Sequence, residues 1–137
     1  MASSFKPPNL TFAMKLLVVD DSLVMRRIIV SAAAIVGAEC VEAGDGAQAL
    51  ARLEAAPDGF SLVCLDWNMP VMGGLEFLKA LRADPRWATL PVLMITTEGS
   101  RDSILAALKA GATAYLTKPF NQQDLQLKIM DCLGLGF

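Results

Sequence analysis

Histidine is missing from this 137-residue chain, which removes every reaction needing an imidazole base and most zinc sites. Cysteine is sparse: Cys40, Cys64 and Cys132 make an odd number, with no CxxC pair. Cys64 lies in the apolar run Leu62-Val63-Cys64-Leu65, where a thiol packs as a small hydrophobe. Such usage fits a reducing compartment, so a cytoplasmic location is expected. There is no basic excess: 12 basic and 14 acidic residues leave a net charge of -2, against a nucleic-acid partner. The longest apolar stretch, residues 28–38 interrupted by Ser31, falls well short of the roughly 20 residues that span a bilayer. The first 13 residues hold one lysine and two prolines without the apolar centre of a leader, so no membrane partner is expected either. Neither GxGxxG nor GxxxxGK occurs, which speaks against a nucleotide- or flavin-binding module.

What is present is a regular alternation of short apolar runs and longer amphipathic segments. Hydrophobic residues make up 54%, and a single domain of this size buries about two thirds of the surface its unfolded chain exposes. Strands are expected over residues 15–19, 39–43, 60–65, 91–95 and 114–117. Helices are expected over residues 23–36, 47–55, 75–83, 103–110 and 122–133. Ser22 is placed to cap the first helix. Gly37 and Gly111 close the first and fourth, and Asp84-Pro85 ends the third. Strand–helix alternation of this kind gives a (βα)5 chain with a parallel sheet and helices on both faces. Residues 1–13 form a candidate flexible N-terminal extension, with Met14 as an alternative start. Residues 14–137 are expected to form one domain, with the tail past Gly134 expected to be too short for an output domain. A monomer is expected.

The polar residues that break the pattern fall at strand ends. Asp20 and Asp21 end the first strand, Asp66 the third, Thr96 and Thr97 the fourth, and Lys118 the fifth. In open parallel sheets, ligands bind beyond the carboxyl ends of the strands, where the strand order reverses. If the strand order is 2-1-3-4-5, the first and third strands are neighbours and the three carboxylates would converge. Carboxylates so grouped repel unless a cation offsets them. Oxygen ligands without His or Cys favour a hard ion such as Mg²⁺, which takes one or two carboxylates and accepts phosphate oxygens. A lysine suits a phosphoryl group as a point charge.

Val18-Val19-Asp20-Asp21-Ser22, Leu65-Asp66-Trp67-Asn68-Met69-Pro70, Ile95-Thr96 and Lys118-Pro119-Phe120 resemble the four motifs of response-regulator receiver domains, in the same order and with helix-sized gaps. The resemblance covers about residues 14–133. Asp66-Trp67-Asn68-Met69-Pro70, Met25-Arg26-Arg27-Ile28 and Tyr115 are most similar to the chemotaxis type, the CheY-like receivers. It implies a flavodoxin-like doubly wound parallel sheet and a phosphoryl group accepted on Asp66 from a histidine kinase, CheA-like in this type. It implies one Mg²⁺ held by Asp20, Asp21, Asp66 and the carbonyl of Asn68, with Asp21 direct and Asp20 largely through water. Thr96 and Lys118 would contact the phosphoryl group, the Lys118–Pro119 bond would be cis, and Thr96 with Tyr115 would form the switch. Asn68, Thr97 and Glu98 would tune the rate of phosphoryl loss. Ile104, Tyr115 and Lys128 would belong to the face that meets a phosphorylation-dependent target, with the flagellar motor switch as the candidate.

Plainer readings stand beside these. An Asp-Asp before Ser is usually a helix cap, a lysine is usually solvated, and a strand tyrosine is ordinarily core. Arg26 and Arg27 read as a solvated helix face, and Met69 and Met72 as loop packing. Thr97 departs from the alanine common in CheY-like chains, and residues 99–102 are less basic than in the chemotaxis type. Within the receiver class, a phosphate sink or relay shuttle, or a regulator of a pathway other than motility, would use the same residues. An aspartyl-nucleophile, Mg²⁺-dependent phosphohydrolase would need a second acid two residues after the nucleophile. That position is Asn68, so an enzyme in its own right is not expected beyond self-phosphorylation and self-dephosphorylation.

Overall fold

The computed structural model describes residues 14–135; the proposed extension over residues 1–13 lies outside them. Five parallel strands are present: β1 (Lys15–Val19), β2 (Glu39–Ala43), β3 (Leu62–Leu65), β4 (Val92–Thr96) and β5 (Ala114–Thr117). They form one sheet in the order β2-β1-β3-β4-β5. Five helices connect and follow them: α1 (Leu23–Ile35), α2 (Gly46–Ala55), α3 (Gly74–Ala83), α4 (Arg101–Lys109) and α5 (Gln122–Cys132). The flavodoxin-like doubly wound fold expected from the sequence is therefore observed.

Alternation along each strand splits the core into two layers. Leu17, Val19, Val63, Leu65, Val92 and Met94 face α2, α3 and α4, where Leu53, Phe77, Leu78, Leu81 and Ala107 are buried. Leu16, Val18, Leu62, Cys64, Leu93 and Ile95 face α1 and α5, where Ile29, Ala32, Ala33, Leu125 and Ile129 are buried. Central strands buried on both faces explain why β1, β3 and β4 read as continuous apolar runs. Each large aliphatic or aromatic side chain fully buried here contributes about 1.5–3 kcal/mol. Cys64 packs in the second layer, as its apolar neighbours imply, and burial pushes its thiol well above the ordinary range.

Local signals account for most element ends. Ser22 caps α1, its hydroxyl accepting from the Met25 N–H at 3.1 Å. Asp45 caps α2 by accepting from the Gln48 N–H at 2.8 Å. Ser100 caps α4, so that helix starts at Arg101 rather than at residue 103. Gly111 follows α4 with φ +110°, a conformation that penalises any residue with a Cβ. Strand β3 begins at Leu62, two residues later than the apolar run suggests. After α3 the chain makes a short 3-10 turn, Pro85–Trp87. There the Trp87 indole N–H donates to the Pro57 carbonyl at 3.0 Å, and the Arg86 guanidinium lies 4.1 Å above the ring.

Candidate phosphoacceptor site

Strands β1 and β3 are hydrogen-bonded neighbours, with Val19 opposite Leu65. The residues that follow, Asp20 and Asp66, therefore emerge side by side. Main-chain bonds fix both: the Asp66 N–H donates to the Val19 carbonyl at 3.0 Å, and the Asp20 N–H to the Ala43 carbonyl at 3.1 Å. One carboxylate oxygen each from Asp20, Asp21 and Asp66 lies within 4.8 Å of the others. Asp20 and Asp66 are buried, and Asp21 is exposed.

Gly74, at the start of α3, allows Asp66 this position. A Cβ there would stand 2.1 Å from the Asp66 carbonyl oxygen, far inside contact distance. The loop between them carries Val71 at φ +67°, a rare conformation for a β-branched residue.

Lys118 closes the far side. Its N–H donates to the Thr96 carbonyl at 2.8 Å, which ties the end of β5 to the end of β4. Its ammonium lies 2.8 Å from Asp20 Oδ2 and 3.5 Å from Asp66 Oδ2. The solvated-lysine reading is thus excluded. The Lys118–Pro119 peptide bond is cis. Asp20 Oδ1 accepts from the Ser22 N–H at 2.9 Å, so both oxygens of this carboxylate already have donors. Asp66 Oδ1 faces the Asn68 N–H at 3.4 Å.

Beside the carboxylates an open cleft of about 520 Å³ is lined by Asp21, Trp67, Asn68, Met69, Pro70 and Gly73. The donor set is oxygen throughout and dense in negative charge. It fits a hard divalent cation that accepts few carboxylates and keeps waters. Asp21, exposed at the cleft, is free to turn toward an ion, whereas Asp20 is committed to Lys118 and Ser22.

The other expected residues fall around this centre. Thr96 is fully buried, and its hydroxyl oxygen accepts from the Glu98 N–H at 3.3 Å. The Tyr115 hydroxyl donates to the Glu98 carbonyl. Burial raises the Tyr115 phenol above its usual range, and the charges of Glu98 and Asp66 push the same way. Thr97 is exposed. Ile104 and Lys128 are half-buried, on α4 and α5, and neither belongs to the acidic cluster. Met69 and Met72 pack against the first core layer, as the loop-packing reading holds.

One reading needs correction. Arg27 is solvated, with 69% of its side chain exposed, but Arg26 is not. Only 18% of its side chain is exposed. Its Nε donates to Glu42 Oε1 at 2.9 Å and its Nη1 to the Asp20 carbonyl at 2.7 Å. Two adjacent arginines in a helix point about 100° apart, so one turns to the sheet end while the other meets water.

Comparison with known proteins agrees with this geometry. Residues 16–130 match the response regulator receiver domain. The chain is 48% identical over 122 residues to the chemotaxis protein CheY1 of Helicobacter pylori, covering 88% of this chain and 98% of that protein. It is 45% identical over 124 residues to the CheY homolog of Campylobacter jejuni, covering 90% and 95%. Among solved structures, the chemotaxis response regulator CheY4 of Vibrio cholerae superposes with a TM-score of 0.81 at 38% identity, covering 88% of this chain and 99% of that one. A family match over most of the sequence, on the fold and strand ends described above, means that this chain belongs to the response regulator receiver family.

Proposed function

We propose that this chain is a chemotaxis response regulator that accepts a phosphoryl group on Asp66 from a CheA-like histidine kinase and signals through a change at its surface. The observation that carries the reading is the meeting of Asp20, Asp21 and Asp66 with Lys118 at the ends of strands β1, β3 and β5. A purely structural strand end has no use for so much buried charge, because each ion loses hydration.

In the proposed reaction, one Asp66 oxygen forms a P–O bond while the P–N bond of the donor breaks, and the leaving imidazole takes up a proton. This is nucleophilic catalysis by a carboxylate. A bound Mg²⁺ supplies charge neutralisation for the incoming phosphoryl oxygens. Asp21, Asp66 and the Asn68 carbonyl would hold it, with Asp20 through water. Lys118, already poised between Asp20 and Asp66, pairs with a phosphoryl oxygen. The buried hydroxyl of Thr96 exchanges its bond from Glu98 for one to the same group. Asn68, Thr97 and Glu98 border the path of the water that would hydrolyse the product. The readout face comprises Ile104, Tyr115 and Lys128, and a motor-switch protein is the candidate target. The names of the relatives, chemotaxis proteins covered almost end to end, support chemotaxis over a pathway other than motility.

The test is incubation with acetyl phosphate and Mg²⁺. One phosphoryl group per chain is expected, labile to acid and alkali, and lost in Asp66→Asn or on chelation of the metal. Label that survives Asp66→Asn places the acceptor elsewhere and overturns the reading.

A further inference from the structure

We infer that Arg26 is a positioning residue for the acidic pocket: by holding the Asp20 carbonyl it sets the peptide plane that presents Asp21 to the cation. The inference rests on the Mg²⁺ site proposed above.

The Asp20 carbonyl belongs to the peptide unit that joins Asp20 to Asp21. That unit is planar, so fixing its oxygen fixes the direction in which the chain leaves toward Asp21. The Asp20 N–H, in the preceding peptide unit, is held by the Ala43 carbonyl of β2 at 3.1 Å. Arg26 holds the oxygen at 2.7 Å. The guanidinium is itself held, since its Nε donates to Glu42 Oε1 at 2.9 Å and Glu42 belongs to β2. Strand β2 thus grips the Asp20 backbone directly at the nitrogen and through Arg26 at the oxygen. The planar fork of arginine can serve both acceptors at once, which a lysine ammonium does less well.

Two effects of this residue on the cation oppose one another. As a positive charge beside three carboxylates, Arg26 repels a divalent ion. As a clamp on the Asp20–Asp21 peptide, it pre-forms the site. The clamp prevails in this inference, because the guanidinium meets the backbone oxygen and Glu42 rather than any of the pocket's carboxylates.

The sign of the change in Mg²⁺ affinity separates the two. Titration calorimetry with MgCl₂ on the unphosphorylated full chain, paired with thermal melts, compares wild type, Arg26→Gln, Arg26→Lys, Glu42→Gln and the double variant Arg26→Gln/Glu42→Gln. Residues that orient metal ligands typically change affinity 10–100-fold, so Arg26→Gln should bind Mg²⁺ about tenfold more weakly. Arg26→Lys should recover part of the loss. Glu42→Gln should lose less than Arg26→Gln, and the double variant no more, because both act through one chain of contacts. An unchanged or tighter affinity in Arg26→Gln, even with a lower melting temperature, overturns the inference and leaves the arginine as a brace. Wild type that binds no Mg²⁺, like Asp21→Asn, overturns the cation site itself and this inference with it.

Discussion

Tyr115 pairs in register with Met94, yet its hydroxyl donates to the carbonyl of Glu98, beyond the end of that strand. The Glu98 N–H in turn donates to the Thr96 hydroxyl oxygen. Thr96 and Tyr115 are thus linked through the main chain of Glu98. Any rotation of the Thr96 hydroxyl toward Asp66 releases one end of this link.

The link gives Tyr115 a measurable titration. It is the single tyrosine of the chain, so tyrosinate absorbance reports it alone. Its phenol is raised by burial, then by Glu98 and Asp66. The protonated form is therefore favoured by folding. Its contribution to stability is complete below the unfolded value of about 10 and is lost as pH rises through the folded value. In urea melts, Tyr115→Phe should remove that loss. Adding beryllofluoride and Mg²⁺ should shift the absorbance titration, and Thr96→Ala should diminish the shift. An equal shift in Thr96→Ala would show that the relay bypasses this hydroxyl.

Among the described residues, Lys118 is the cation that pairs with the acidic cluster. Replacing it by Met leaves Asp20 and Asp66 close together with no partner of opposite charge at that side. Breaking a buried pair by removing one member costs about 3–5 kcal/mol, and the partial opening of this pocket to water argues for the lower end. Lys118→Met should therefore melt lower than wild type in EDTA. Added Mg²⁺ should recover more of its stability than in wild type. A variant that melts like wild type in EDTA would mean that solvent already screens the carboxylates.

Gly74→Ala tests the approach of α3 to the end of the strand that carries Asp66. A Cβ 2.1 Å from the Asp66 carbonyl oxygen forces the helix start or the strand end to move. Destabilisation of about 3 kcal/mol or more is expected in urea unfolding, at the upper end of what overpacking costs. The label from acetyl phosphate should fall with it.

Val71→Asn tests the loop. Val71 is held at φ +67° and is 82% exposed, so its side chain gains little from packing while its backbone sits where branched residues are disfavoured. Asparagine tolerates that conformation. A gain of about 1 kcal/mol is expected from chemical denaturation. No gain would indicate that the loop relaxes around valine without cost.

Much of this was legible in the sequence because its signals are local and agree with one another. Strands β1, β2 and β5 have the bounds expected from the sequence. Asp20 and Asp66 stand out because charged residues terminate buried strands, and Lys118 because it follows the short strand β5. The order of the strands is different: which ends adjoin depends on crossovers that no single segment encodes, and only the resemblance supplied it. Arg26 was misread because its partners, Glu42 and the Asp20 carbonyl, sit on a neighbouring strand and in the backbone. Helical spacing alone does not separate it from Arg27. Trp87 escaped notice for the same reason, since its acceptor, the Pro57 carbonyl, lies far away in the chain.

The sheet is also a partition. Side chains of the α2–α3–α4 layer and those of the α1–α5 layer belong to separate cores, divided by a wall of hydrogen-bonded backbone. Substitutions on opposite sides share few neighbours, so their energetic effects should add, whereas those within one layer should couple. A lineage can therefore remodel the helices on one side while the other side and the strand ends stay as they are. A sheet built this way lets one helical layer change while the carboxylates at the strand ends keep their geometry.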